Sequence, residues 1–262
     1  GGSKPVANKS AQRVDNARKT GVFAVQDESG FSLPKDVLQI ETLRTLHIES
    51  CGLKDLPALA GLAALQRLKL PKNLLSSLPD ISAMVNLQQI DLSGNKLESL
   101  PDCFSGLKKL KEANLSKNSL KALPSSLGQC SALKNIDASD NHLTSLPGSM
   151  GKLDSLEDLN VANNKIASLP SSFDGMKRIK RINLQWNSVT TIPAGLLTGT
   201  ALQDIKLEGC PVKDKDAIQG WDKYLERNNK QQIKKVDQQV KAGDLSLGLG
   251  SKEEYLANNR DR

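Results

Sequence analysis

From Leu43 onward the same spacing of apolar residues returns every 22 or 23 residues, and this period limits the fold more than any other feature of the chain. The copy LQQIDLSGNKLESLP, Leu87 to Pro101, shows the unit: apolar residues at Leu87, Ile90, Leu92, Leu97 and Leu100, with Asn95 at a fixed offset. Copies begin at Leu43, Leu65, Leu87, Leu110, Leu133, Leu156, Ile179 and Leu202. A unit this short cannot bury its own apolar face, so it must stack on its neighbours and share one continuous core with them. The 262 residues therefore call for no second globular domain. Aromatics are only 3% of the chain, which suits an interior of short aliphatic side chains.

The pattern resembles the leucine-rich repeat, L-x-x-L-x-L-x-x-N-x-L. It predicts an α/β solenoid, a horseshoe with a curved parallel sheet on its concave face and turns and short helical segments on its convex face. In the strand x-L-x-L-x the leucines point inward and the flanking residues face the concave surface, because side chains alternate along a strand. Asn73, Asn95, Asn118, Asn141, Asn164 and Asn187 follow the strands and are expected to form a ladder on backbone groups that the turns leave unpaired. Cys51 and Cys210 take that place in the outer copies. Repeats close with Leu-Pro or Ile-Pro, from Leu78-Pro79 to Ile192-Pro193, which disfavours continuous helix on the convex side. Ala113 and Ala138 replace inward leucines and predict a thinner, more adaptable core there. Gly21 to Pro34 keeps Phe23, Val25 and Leu33-Pro34 but lacks the asparagine, as a degenerate first repeat would. The repeat domain is thus expected over 21–212.

Both ends differ from the repeats. Residues 1–20 carry Lys4, Lys9, Arg13, Arg18 and Lys19 against Asp15. Ser10 is expected to cap a short helix from Ala11 to Thr20, stopped by Gly21, with Val14 and Ala17 turned to the open end of the solenoid. Gly1, if exposed by removal of a methionine, is a site for myristoylation, and the nearby bases would add the electrostatic half of a peripheral membrane contact. The acylation pattern asks for Ser or Thr where Pro5 stands, and Gly-Gly-Ser is also a common remnant of recombinant expression. After Val212 the period ends. Residues 213–243 are expected to form a C-terminal capping helix that seals the last repeat with Ile218, Trp221, Tyr224 and Leu225. Ile233, Val236 and Val240 form a second apolar set too far out to cap the array if that helix is straight, and residues 244–262 form a tail with Leu245, Leu247 and Leu249; folding back, staying mobile and docking on a partner are the alternatives for this region, with docking the expectation.

Composition excludes several functions. The formal charge is +7, yet signs are mixed along the chain and no basic stripe with stacking aromatics occurs, so no nucleic-acid partner is expected. No apolar run reaches the roughly 18 residues of a membrane-spanning helix, and the N-terminus has no signal-peptide core. Cys51, Cys103, Cys130 and Cys210 are too far apart for a zinc site or a disulfide-rich cap, which points to a reducing cytoplasm. His47 and His142 fall four repeats apart, with no triad or metal-ligand spacing around them. The expectation is no enzyme, no cofactor and no metal.

Function is then carried by positions the repeat leaves free. The residues flanking each inward strand residue read Thr45 and His47, Arg67 and Lys69, Gln89 and Asp91, Glu112 and Asn114, Asn135 and Asp137, Asp158 and Asn160, Arg181 and Asn183, Asp204 and Lys206. Bases gather in the second repeat, acids and amides run through the third to the sixth, and Arg181 marks a return to positive charge. Such banding orients a partner of complementary pattern. Trp186 stands where the other repeats have Ser50, Lys72, Gly94, Lys117, Asp140, Asn163 and Gly209. An exposed Trp beside an Arg is the composition of an interface hot spot, and packing over adjacent turns is the alternative. The candidate protein-binding set is Trp186, Arg181, Asn183, Asp158, Asn160, Asp137, Asn114, Asp91, Arg67 and Lys69.

ARKTGVF (Ala17 to Phe23), the Leu-Pro repeat ends and GWDKYLER (Gly220 to Arg227) resemble the small intracellular leucine-rich-repeat-only proteins of the kind of leucine-rich repeat-containing protein fifty-seven, over about Arg13 to Arg227. The resemblance implies a non-enzymatic protein with an acylated N-terminal glycine. The expected function is a cytoplasmic scaffold or adaptor, a monomer or a subunit of a hetero-complex, that binds a folded protein on the concave face. Alternatives are a regulatory subunit in phosphatase or Ras signalling, and a structural subunit of a cytoskeletal or ciliary assembly held by the convex face and tail.

Overall fold

The computed structural model describes residues 4–212 and 218–230. Gly1, the second apolar set Ile233, Val236 and Val240, and the 244–262 tail lie outside the described residues. The chain divides between Lys213 and Asp214 into two compact units.

In the first unit each repeat contributes one strand. Helix α1 (Lys4–Thr20) precedes β1 (Val22–Gln26), β2 (Thr45–Glu49), β3 (Arg67–Lys69), β4 (Gln89–Asp91), β5 (Glu112–Asn114), β6 (Asn135–Asp137), β7 (Asp158–Asn160), β8 (Arg181–Asn183) and β9 (Asp204–Lys206). They form one nine-stranded parallel sheet in chain order. The register brings Leu68, Ile90, Ala113, Ile136, Leu159 and Ile182 side by side as the inward residues of β3 to β8, all buried. Behind them lie the second strand leucines and, from the convex side, Phe104 and Phe173, both fully buried. The degenerate repeat supplies β1 through buried Phe23 and Val25, as its alternation implies.

A buried asparagine locks each turn. Asn118 is typical. Its Nδ2 donates to the carbonyls of Leu92, Leu115 and Ser116 at 3.0, 3.0 and 3.2 Å, and its Oδ1 accepts from Leu97 N–H at 3.1 Å. One amide therefore satisfies backbone groups of two successive repeats, which buried far from water would each cost free energy if left unpaired. Asn95, Asn141, Asn164 and Asn187 repeat the arrangement. At the outer edges Cys51 and Cys210 donate their thiols to the carbonyls of Glu49 and Leu184, each at 3.1 Å.

On the convex side the prolines act as expected. Pro34, Pro124, Pro147 and Pro170 are extended and each is followed by one 3₁₀ turn, Lys35–Gln39, Ser125–Gln129, Gly148–Lys152 and Ser171–Gly175; after Pro193 comes α2 (Ala194–Gly199). Successive turns approach closely. A Cβ on Gly151 would lie 2.2 Å from the carbonyl oxygen of Ser172, so this contact admits only glycine.

Two expectations at the ends need correction. Helix α1 begins at Lys4, not at Ala11, so Ser10 lies inside the helix and does not cap it. The extra turns carry Lys9, which with Arg13 meets Glu28 at 3.5 and 2.7 Å and ties the helix to the loop after β1. Val14 and Ala17 are buried as expected, and Gly21, at φ +72°, ends the helix by donating to the Ala17 carbonyl at 2.8 Å. In the second unit residues 218–220 form a turn and 221–230 are helical. Gly220 has φ +87°, which no α-helix contains, so the expected helix from residue 213 does not run unbroken. Trp221 and Tyr224 pack ring on ring, 5.2 Å between centroids. No helix of the described residues is long and apolar enough to cross a membrane.

The ladder is testable by deletion. Asn118→Ala leaves the Leu97 N–H without its acceptor and takes one of two donors from each of the Leu92, Leu115 and Ser116 carbonyls, and is expected to lower unfolding free energy by about 1–3 kcal/mol in urea denaturation followed by circular dichroism.

Candidate protein-binding face

The concave surface is a set of columns running across the strands, one residue per repeat, because the register advances by whole repeats. The first column is stitched by side-chain bonds between neighbouring strands. Gln89 Nε2 donates to Glu112 Oε2 at 2.9 Å. The Asn135 amide, turned to donate, lies 3.2 Å from Asp158 Oδ2. Arg181 then grips the same Asp158, with Nη2 to Oδ2 at 2.6 Å and Nε against Oδ1. Arg181 is accordingly a forked partner of Asp158, not a free cation, and the two cancel as charges on the face.

A second column does local work that sequence reading did not reveal. Asp91, Asn114, Asp137, Asn160 and Asn183 each turn Oδ1 back to accept the N–H two residues on, at 3.0, 3.2, 2.9, 3.3 and 3.1 Å. Where that residue is serine its hydroxyl donates as well, to Asp91, Asn114 and Asp137 at 2.7, 2.8 and 2.6 Å. These side chains are fixed by their own turns, and one carboxylate oxygen of Asp91 and of Asp137 is left over. The signal was present in the sequence as Asx-x-Ser in three consecutive repeats, Asp91 to Ser93, Asn114 to Ser116 and Asp137 to Ser139.

The column before the asparagine ladder is set by backbone. Ser50, Lys72, Lys117, Asp140, Asn163 and Trp186 all have φ between +54° and +56°, and Gly94 and Gly209 are at +66° and +73°. Their N–H groups reach across to the next repeat, as Trp186 N–H does to Glu208 O at 2.8 Å, and these bonds hold the left-handed conformation. Gly, Asn and Asp suit it, which explains four of the residues found there. Trp186 does not suit it. Its side chain is 58% exposed, but it is not uncovered: the indole lies over Gly209, where an added Cβ would be 2.5 Å from Cε3. The packing alternative is met on one side, which rests on the neighbouring turn, and the rest of the ring is open to solvent.

These columns line a trough of about 600 Å³ that runs across β4 to β9 and takes in Asp91, Asn114, Asp137, Asp158, Asn160, Arg181 and Asn183. Arg67 and Lys69, on β3, are outside its lining and form no ion pair among the described residues. At the rim Glu157 is held by Lys180 at 2.5 Å with Lys134 at 3.8 Å, and the Lys180 hydrogen bond keeps its carboxyl below the usual range. Glu49 is lowered likewise, chiefly by Lys72 at 2.8 Å. No group of His, Cys, Asp and Glu among the described residues is placed to hold a metal ion. Burial pushes the Cys130 thiol up to about 11, the wrong direction for a nucleophile.

This geometry is that of a repeat solenoid. Residues 41–97, 65–120 and 131–189 match the leucine-rich-repeat family, together more than half of the chain, and the chain belongs to that family. Leucine-rich-repeat proteins are in general non-enzymatic modules that bind other proteins. Among solved structures the chain is similar to a leucine-rich-repeat protein of Leptospira interrogans, at 28% identity and TM-score 0.72 over 80% of this chain and 53% of that one. It shares its fold with the functional domain of the Listeria monocytogenes protein InlJ, which includes a cysteine ladder, at 20% identity and TM-score 0.58 over 72% of this chain and 44% of that one. An internalin, InlF, of the same organism is similar at 17% identity and TM-score 0.56, over 77% and 64% of the two chains. The chain thus spans less than two thirds of each of these structures. No curated protein matches it, so the narrower likeness to the small intracellular repeat-only proteins gains no support there.

Two substitutions separate structural from surface roles. Asp137→Ala removes the acceptor of Ser139 and is expected to cost about 1 kcal/mol in urea denaturation, whereas Asp137→Asn, which keeps Oδ1 as Asn160 and Asn183 do, should leave stability within a few tenths. Gly209→Ala meets both the positive φ and the indole, so it should destabilise by about 1–3 kcal/mol. In a Trp186→Ala background the steric part vanishes, and a double-mutant cycle should show positive coupling between the two positions.

Proposed function

We propose that the chain is a non-enzymatic scaffold or adaptor that binds a folded protein partner on its concave face, with the 21–212 repeats as the binding unit. The trough across β4 to β9 carries this reading: it is an extended polar surface whose side chains are already held by their turns and by cross-strand bonds, so little rotamer freedom is lost when a partner covers it. Trp186 supplies a large open apolar surface at its border, the kind of residue that dominates interface energies. Asp91, Asn114, Asp137, Asp158, Asn160, Arg181 and Asn183 form the polar floor, and Arg67 and Lys69 a basic flank. Free thiols at Cys51, Cys103, Cys130 and Cys210 support a reducing, cytoplasmic setting. Residues 213–243 as a cap, the 244–262 tail as a second contact, and the basic N-terminus with Gly1 as a peripheral membrane contact complete the proposal.

Photo-crosslinking locates the contact. With a benzophenone amino acid at Asn160 on the concave face or at Lys152 on the convex turn, expressed in native cells, the Asn160 position should yield a discrete crosslinked partner that Trp186→Ala abolishes. Crosslinking from Lys152 alone, unaffected by Trp186→Ala, would overturn the reading in favour of a convex-face subunit.

A further inference from the structure

The chain carries 36 Lys and Arg residues, yet none stands on β4, β5, β6 or β7. Those four strands present Asp91, Glu112, Asp137 and Asp158 instead. Asp158 is neutralised by Arg181. Asp91, Glu112 and Asp137 form no ion pair among the described residues, although the chain as a whole is at +7. The acidic strands of the trough thus lack bases of their own, Arg181 and Lys206 entering its lining only on β8 and β9, and the local field over β4 to β6 is opposite in sign to the net charge. Past the acidic strands, toward the last repeat, Trp186 follows three residues after Asn183 of the trough lining; its ring rests on Gly209, and Glu208, the residue before that glycine, accepts from Gln185 at 2.7 Å. An open indole favours a cation on its face.

We propose that the occupant of the trough is a basic elongated segment of the partner protein, its Arg or Lys side chains over Asp91, Glu112 and Asp137 and one of them, or a neighbouring apolar residue, against Trp186. This rests on the concave-face reading above and adds the chemistry of the partner. The six strands β4 to β9 are separated by five spacings of about 4.8 Å, or ~24 Å, which a helix of ~16 residues spans. Arg67 and Lys69 on β3 stand just before this span and Lys206 on β9 lies at its far end, so a longer basic segment would meet like charge at both ends.

The test is fluorescence anisotropy of labelled 16-residue peptides with the full chain at about 0.1 M salt. One peptide is helical and alanine-based with four arginines; its counterpart carries four glutamates. The arginine peptide should bind at least tenfold more tightly than the glutamate peptide. The variant Asp91→Asn, Glu112→Gln, Asp137→Asn keeps the turn acceptors and should lose at least tenfold of that affinity. Trp186→Ala should lose a further twofold to fivefold. The remote pair Glu41→Gln, Glu98→Gln should bind as the unmodified chain does. Equal binding of both peptides, an unchanged triple variant, or an equal loss in the remote pair would each overturn the proposal, the last by showing diffuse attraction to any carboxylate. If both peptides bind equally while crosslinking from Asn160 still yields a partner, the basic-segment inference fails and the concave-face reading stands.

Discussion

Every turn that leaves the sheet strands backbone N–H and C=O groups in a dry interior, and the fold exists because one asparagine per repeat satisfies them. Asn118 bonds to its own turn and to the carbonyl of Leu92 and the N–H of Leu97 in the repeat before, so each rung is completed only by its successor. That reciprocity explains why the period is held so tightly. A residue inserted between strand and ladder would move the amide away from both sets of partners, whereas convex segments, whose bonds across repeats come from scattered serines such as Ser149 and Ser172 to the carbonyls of Ser125 and Gly148, vary between an irregular turn, a 3₁₀ turn and the short helix α2. It also explains the thiols at the two ends. Cys51 and Cys210 have a neighbouring ladder amide or carbonyl on one side only, and a single S–H donor is enough.

The same demand shapes the recognition surface. The left-handed column and the Asx column are devices for turning the backbone and closing its hydrogen bonds, and their side chains happen to emerge on the concave side. Structural need fixes one oxygen of Asp91 and Asp137 and leaves the other, so the choice between Asp and Asn is nearly neutral for folding. Charge on the floor can therefore vary without disturbing the array. The order Asp91, Asn114, Asp137, Asn160, Asn183 is written in that free choice.

Most of the architecture was legible before any coordinates. Strand positions, inward residues, the asparagine ladder and the proline-bounded convex turns all follow from period and alternation, since a repeat that fails any of them cannot stack. What was not legible depended on backbone dihedrals. The column Ser50, Lys72, Gly94, Lys117, Asp140, Asn163, Trp186, Gly209 reads as small or polar, and only the φ values show why. The alternation along a strand exposes Trp186 but does not reveal the Gly209 contact that supports it, and Arg181 reads as a return to positive charge, whereas its fork on Asp158 requires two side chains one repeat apart to meet. At the ends no repeat constrains the chain, and there the start of α1 and the break at Gly220 escaped a reading based on single-residue signals.

Trp186 and Gly209 also show how a solenoid can carry a costly residue. Stability in such an array is close to a sum of terms between adjacent repeats, so strain at one rung is not multiplied through the molecule. Trp186 N–H is pinned to Glu208 O on one side and its carbonyl accepts from Asn164 N–H on the other, at 2.8 and 3.2 Å. These bonds hold the left-handed turn whatever side chain it bears, and the flat ring is accommodated only because the next residue in the column has no Cβ. The pair forms a local unit: the glycine makes room, the neighbouring repeats bear the backbone cost, and the indole stands beside the trough on a platform too well bonded to collapse around it.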